Sequence, residues 1–215
     1  RADVAWLDSQ MPLHAALDAA LRIGVMGTHW DGLAGKASTD RRGLALDYRI
    51  GIGTADEFLF SLYRLDYMDK PVLGGRWLEG RPAPLPANTW YGAASDYQKD
   101  NATFATVTHT HRWADGSTLK TTLRDGHYQR DLWATQLNNF AAGVTQANFA
   151  SLNPAVNRGT QTRAADDHHS FLQSDYVTTT HWFGRKNQLL LGTDLASENT
   201  TVFRYTNVPT RTSTT

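Results

Sequence analysis

Two kinds of connection divide this chain, and their contrast limits what it can fold into. Stretches of alternating apolar and polar residues are joined at one end by very short, turn-like segments: Ser9-Gln10-Met11-Pro12-Leu13, Gly53-Thr54-Ala55-Asp56, Trp113-Ala114-Asp115-Gly116 and Gly184-Arg185-Lys186-Asn187. At the other end the connections, at 28–41, 68–96 and 134–167, are long, irregular and rich in Gly, Pro, Asn or Ala. Loops beyond about 12–15 residues are uncommon in compact domains unless they carry function or are disordered. Three of them at one end call for a common cause. Short turns at one rim and long loops at the other are the pattern of an outer-membrane β-barrel, whose cell-surface rim carries the function.

The clearest strand spans 42–52. Leu44, Leu46, Tyr48, Ile50 and Ile52 occupy one face, and Ala45, Asp47, Arg49 and Gly51 the other. The same period-2 split at 17–27 sets Leu17, Ala19, Leu21, Ile23 and Val25 against Asp18, Ala20, Arg22 and Gly24. A helix competes there, because Ala15, Ala16, Ala19 and Ala20 favour one. Gly24 and Gly27 tip the choice to a strand, since each weakens a helix by up to ~1 kcal/mol. Further strands are expected at 57–67, 97–113, 117–133, 168–183 and 188–206. With 2–8 the count is eight, in an all-β antiparallel meander. Facing is ambiguous at 57–67, where Phe58, Phe60 and Leu62 compete with Leu59, Tyr63 and Leu65. Outward positions are assigned to Leu44, Leu46, Ile50, Leu189, Leu191 and Leu195, inward ones to Arg22, Asp47, Arg49, Lys120, Arg124 and Asp194.

Equal numbers of basic and acidic residues, 21 of each, leave no electrostatic footprint for nucleic acid. Zero cysteines exclude a disulfide scaffold and any cysteine-ligated metal cluster. No window approaches the ~18 apolar residues of a transmembrane helix, a test that is blind to barrel strands. No G-x-S-x-G or H-E-x-x-H is present, and Gly32-Leu33-Ala34-Gly35-Lys36 is too short for a phosphate-binding loop. The chain is therefore not read as an enzyme.

Trp6, Trp113, Trp182 and Phe183 lie beside the short turns, where an aromatic girdle would anchor a barrel in outer-membrane lipid; ordinary sandwich-core aromatics are the competing reading. The second long loop gathers Arg76, Trp77, Arg81, Trp90 and Tyr91, with Tyr97 behind them, a set suited to stack on and neutralise an anionic aromatic ligand. Loop packing is the bland alternative for each residue. His168-His169 and the same-face pair His109 and His111 are metal-ligand types, but no third ligand has convincing spacing, so no metal site is assigned.

The order of segments resembles the barrel of TonB-dependent siderophore receptors. Ala20-Leu21-Arg22-Ile23-Gly24-Val25-Met26 and Arg41-Arg42-Gly43-Leu44-Ala45-Leu46 are similar to two successive strands of that family. Phe60-Ser61-Leu62-Tyr63-Arg64-Leu65-Asp66, followed by Asp69-Lys70-Pro71 and Gly74, resembles its next strand and the loop that follows. Tyr91-Gly92 with Asp96-Tyr97-Gln98-Lys99 resembles the return from that loop, and Leu190-Leu191-Gly192-Thr193-Asp194 a later strand.

The resemblance implies that residues 1–215 form part of the N-terminal half of a transmembrane barrel of about 22 strands, with the plug domain lying outside this chain. It further implies a receptor and transporter that takes up ferric siderophores, energised by TonB through the missing plug, in the outer membrane of a Gram-negative bacterium and monomeric when whole. The region from Pro71 to Tyr97 looks more like receptors for catecholate siderophores. Iron would be held by the siderophore, so no protein cofactor is expected. The rivals are a small eight-stranded outer-membrane barrel with a structural or adhesion role, and a soluble carbohydrate-binding sandwich.

Overall fold

The computed structural model describes residues 2–14, 18–32, 36–73, 75–86, 90–154, 156–206 and 211–213. Four long strands come first: β1 (Ala2–His14), β2 (Ala19–Asp31), β3 (Ser38–Ile50) and β4 (Asp56–Lys70). A miniature hairpin follows, β5 (Trp77–Leu78) and β6 (Arg81–Pro82). Then come β7 (Tyr97–Arg112), β8 (Thr118–Leu137), the single helical turn α1 (Phe149–Leu152), β9 (Val156–Trp182), β10 (Arg185–Phe203) and the short β11 (Arg211–Ser213).

The main sheet runs β1-β2-β3-β4-β7-β8-β9-β10, every neighbour antiparallel, with β11 continuing along β9 past the end of β10. Among the described residues β1 and β10 do not pair, so the sheet is an open meander rather than a closed eight-stranded barrel, and no second sheet packs across it as in a sandwich.

Ladder registers settle the faces. Reading directly opposed pairs across the sheet, one face carries Ile23, Leu46 and Leu62, then Ala105, and nearer the short turns Tyr48, Phe60, Val107 and Leu123, followed by Leu172 and Leu195. Leu44, Ile50, Leu189 and Leu191 share it. The other face carries Arg22, Asp47, Arg49, Lys120, Arg124 and Asp194, as expected. The ambiguity at 57–67 resolves with Phe58, Phe60 and Leu62 on the apolar side and Leu59, Tyr63 and Leu65 on the polar one.

The polar face is stitched across strands. Arg22 donates to Asp8 at 2.6 and 3.0 Å, Ser61 donates to Asp47 at 2.6 Å, and Glu57 sits between Arg49 and Arg112 at 3.5 and 3.0 Å. The Arg124 guanidinium lies 3.8 Å from the Phe104 ring centre.

On the apolar face the band has clear limits. In β9 it extends from Leu172 to Trp182, about 34 Å along the strand at ~3.4 Å per residue. With a tilt near 45° that projects to about 24 Å, the height of the apolar belt of a transmembrane barrel. Above it the same face turns charged: Arg64 pairs with Asp66 at 2.9 Å, and Asp125 accepts hydrogen bonds from Ser170 and His168.

The sheet has no core of its own. Buried apolar side chains are few, chiefly Ala134, Leu137 and Phe149 near the loops, while Leu190, Leu191, Leu195 and Val202 are more than half exposed. The accessible surface is 14291 Å², against about 9,900 Å² for a self-contained monomer of this mass by area scaling. Both faces therefore need cover from outside the chain.

Several expectations are corrected. Ser9–Leu13 is not a turn: β1 runs through it to His14, with a register irregularity between Pro12 and His14. Pro12 falls at that irregularity, and a break in the ladder is a place where a strand tolerates a proline. Trp6 consequently lies well up the strand opposite Met26, on the polar-face register, and does not join Trp113, Trp182 and Phe183 at the short-turn rim. The final turn is only Phe183-Gly184, with positive φ at both (52° and 75°), so Arg185–Asn187 already belong to β10. The connection expected at 28–41 shrinks to 32–37, and that at 134–167 to 138–155. The strand over 17–27 is confirmed from Ala19 onward; Ala15, Ala16, Leu17 and Gly74 lie outside the described residues.

Candidate ligand-binding site

The longest connection, between Lys70 and Tyr97, is built rather than slack. Its β5–β6 hairpin turns at Glu79-Gly80, both with positive φ, and Ala83 N–H donates to the Arg76 carbonyl at 2.7 Å. The return is clasped by Asp96. Its buried carboxylate accepts from Ala93 N–H (2.8 Å), Thr135 N–H (2.9 Å) and Thr135 Oγ1 (2.9 Å), fixing the loop to the top of β8. Trp90 Nε1 donates to the Pro71 carbonyl at 3.3 Å, and Arg158 Nη1 reaches the Tyr91 and Gly92 carbonyls at 3.4 and 3.3 Å. Gly92 is required by the indole above it, since a Cβ there would meet the Trp90 ring at 2.4 Å.

The next loop, 138–155, docks on this one. Gln146 donates from its backbone to Glu79 Oε2 (3.0 Å) and from Nε2 to the Leu78 and Pro82 carbonyls (3.0 and 2.9 Å). Asn148 braces the docking segment through Thr145 N–H and the Gly143 carbonyl.

Between loop and sheet lies a cleft of about 270 Å³ bounded by Arg76, Trp90, Tyr91, Leu73, Thr135 and Leu137. A cavity of ~150 Å³ accepts one benzene ring, so this one has room for a single catechol-sized ring rather than a whole ferric complex. Arg76 Nε is buried there with no hydrogen-bond partner among the described residues, an arrangement that favours an incoming anion.

The fold therefore gathers three of the six residues singled out in the sequence, Arg76, Trp90 and Tyr91. Trp77 and Arg81 stand exposed on the β5–β6 hairpin, outside the cleft. Tyr97 does not join them. Opposite Trp133 in the ladder, its hydroxyl donates to Asp131 at 3.2 Å and the Lys99 ammonium lies 5.0 Å from its ring. Asp131 also accepts from Tyr205, which together with Tyr97 raises the Tyr205 phenol well above its ordinary pKa.

Sequence reading missed the polar-face aromatics and cations above the band. Arg41 lies 5.1 Å from the Tyr67 ring centre, and Tyr67, Tyr128 and Arg130 line a shared hollow of about 280 Å³. Nothing in sequence spacing joins them, because they meet only through the β3-β4-β7-β8 ladders.

No protein-family model matches the chain. Over 143 residues it is 27% identical to the catecholate siderophore receptor Fiu of Escherichia coli K12, covering 59% of this chain and 19% of that receptor. The crystal structure of Fiu in its open form superposes with a TM-score of 0.82 at 18% identity, over 94% of this chain and 33% of Fiu. The chain is similar in sequence to a siderophore receptor and in fold to siderophore-receptor barrels. The ferripyoverdine receptor of the Pseudomonas aeruginosa outer membrane matches with a TM-score of 0.82 at 11% identity, over 97% of this chain and 28% of that one. BauA, the ferric preacinetobactin receptor of Acinetobacter baumannii, gives 0.75 at 12%, over 94% and 30%. This chain thus spans about a fifth of the curated relative and about a third of the solved barrels. The open meander, uncovered on both faces, has the fold of about a third of such a barrel.

Proposed function

We propose that this chain supplies strands and cell-surface loops to an outer-membrane receptor that takes up ferric siderophores of the catecholate class, with energy relayed by TonB through a plug inside the barrel. The observation that carries the proposal is the paired faces. An apolar band of membrane height backs onto a polar, ion-paired face, and neither is covered within the chain. Lipid is the fitting cover for the first, and water and a plug for the second. The 27% identity to a catecholate receptor supports the ligand class.

In this reading Arg76, Trp90 and Tyr91 take one aromatic arm of the ligand, and exposed Trp77 and Arg81 extend the contact. Tyr97 acts indirectly, by setting the strand from which the loop returns. Arg41, Tyr67, Tyr128 and Arg130 face the lumen below and offer cation and aromatic contacts to the same ligand on its way in. Iron stays with the siderophore throughout.

The test is a fluorescence titration of the purified receptor carrying this chain with a ferric tris-catecholate complex. Trp90→Ala with Arg81→Ala weakens binding tenfold or more if the pair contributes about 1.4 kcal/mol. Unchanged affinity in a properly assembled variant removes the loop from the site, and unchanged affinity in an Arg41→Ala, Arg130→Ala variant as well would defeat the ligand assignment.

A further inference from the structure

At the short-turn rim, opposite the ligand loops, the sheet brings together three metal-ligand side chains that lie far apart in sequence. His109 and His111 alternate on β7, so both rings project from one face. The β4–β7 ladder sets Asp56 directly opposite His111. Asp56 Oδ1 lies 2.9 Å from His109 Nε2 and 2.7 Å from His111 Nδ1, and the three ligand atoms all fall within 4.8 Å of one another. From this convergence we propose that Asp56, His109 and His111 form a binding site for a divalent transition metal of the zinc class.

The chemistry fits. Two imidazoles and one carboxylate are the donors zinc takes in sites that keep a fourth position for water. Bond lengths near 2.0–2.1 Å in a tetrahedron place ligand atoms about 3.3 Å apart, so the present 2.7 and 2.9 Å contacts need open by only a few tenths of an ångström. One carboxylate oxygen already lies against both ring nitrogens, and the metal takes the place of the two bridging protons: a neutral ring moves its proton to its other nitrogen, and a protonated ring releases one to solvent. Each ring then binds as neutral imidazole, through Nε2 of His109 and Nδ1 of His111.

The rings are also held. Phe58 stacks on His109 with centres 4.4 Å apart and 13° between planes, and Trp113 meets His111 edge-on at 4.4 Å. The three lie on the apolar-face register at its short-turn edge, where Asp56, the first residue of β4, is half exposed toward the rim from which an ion and water would enter. Among the described residues this is the only group of three whose ligand atoms converge in this way. The second histidine cluster, His127 with Asp166 and His168 with Asp125, forms separate pairs instead. A bound ion would tie the first residue of β4 to the end of β7 across the short-turn rim. The site is independent of the siderophore reading.

The experiment is titration of the detergent-solubilised receptor carrying this chain with Zn²⁺ against a chromophoric chelator, with Co²⁺ substituted to read the ligand field. The expected result is one equivalent bound per chain, with the intense visible absorption of low-coordinate Co²⁺. Asp56→Asn and His111→Ala should each weaken binding by more than about tenfold, while His127→Ala leaves it unchanged. Equal binding by all four proteins, or none by the parent, overturns the site and leaves a hydrogen-bonded cluster only. If the variants fail to assemble, anomalous diffraction at the zinc edge from the parent decides: a peak among the three residues supports the site, and its absence from zinc-soaked crystals refutes it.

Discussion

A charge placed on the apolar face should be far more damaging than one removed from the polar face one residue away. Leu46 lies near the middle of the apolar run of β3, flanked in the ladder by Ile23 and Leu62. In a bilayer an arginine there costs about 2–4 kcal/mol at mid-depth, a factor of roughly 30–900 in the folding equilibrium. Asp47 points to the other side, where it accepts the Ser61 hydroxyl at 2.6 Å near Arg22. Asp47→Asn keeps the shape and an acceptor oxygen and weakens one charge-assisted hydrogen bond, a loss of about 1 kcal/mol. The assay is denaturant-dependent folding of the whole receptor into lipid vesicles, read by heat-modifiable migration. Leu46→Arg should shift the midpoint sharply and Asp47→Asn little. Equal shifts, or the reverse order, would refute the assigned faces.

Asp96→Ala should leave Ala93 N–H and the two Thr135 donors unpaired in a buried place, at about 1–3 kcal/mol for each, and limited proteolysis should then cut within 71–96 before it touches the strands. Gly184→Ala forces a side chain onto a residue with φ of 75° and should destabilise the β9–β10 hairpin by about 1–2 kcal/mol, seen as a lower unfolding midpoint. In the 113–117 turn, Ser117 donates to Asp115 from its hydroxyl and its backbone, holding that carboxyl below its ordinary pKa. A depressed pKa gives a contribution that is complete above the unfolded value, about 3.9, and is lost as pH falls through the folded one. Hydrogen exchange at the Ser117 amide should accordingly stay protected through neutral and mildly acidic pH and lose protection only below the usual carboxylate range; an Asp115→Asn variant should lack that dependence.

Alternation made the meander and its two faces legible, and even the faces of β10 follow from Leu189, Leu191 and Leu195 against Asp194. It failed at the strand ends for a physical reason. Alternation reports only the part of a strand whose outer face must be apolar. Above the band, outward positions such as Asp40, Arg42, Arg64 and Asp166 are charged, so Ser38–Arg41 and Val156–Asp167 read as loop although their ladders continue. The Ser9–Leu13 error has another source: a proline reads as a chain break, but here it falls at a register irregularity that the strand runs through. At the candidate site, local composition pointed to Arg76, Trp90 and Tyr91. The clasp by Asp96 and Thr135, the docking of Gln146, and the meeting of Asp56 with the two histidines all depend on registers between distant segments, and spacing along the chain carries no trace of them.

The central claim is that this chain is part of a working ferric-siderophore importer, and radiolabelled uptake tests it most directly. Iron-starved cells deleted for the gene encoding this chain, then complemented with it, would be given ⁵⁵Fe as a ferric catecholate complex, with and without TonB. Uptake that returns on complementation and vanishes without TonB is the predicted result. Complemented cells that display the folded receptor at the surface, yet take up no more ferric catecholate than the deletion strain, would contradict the account.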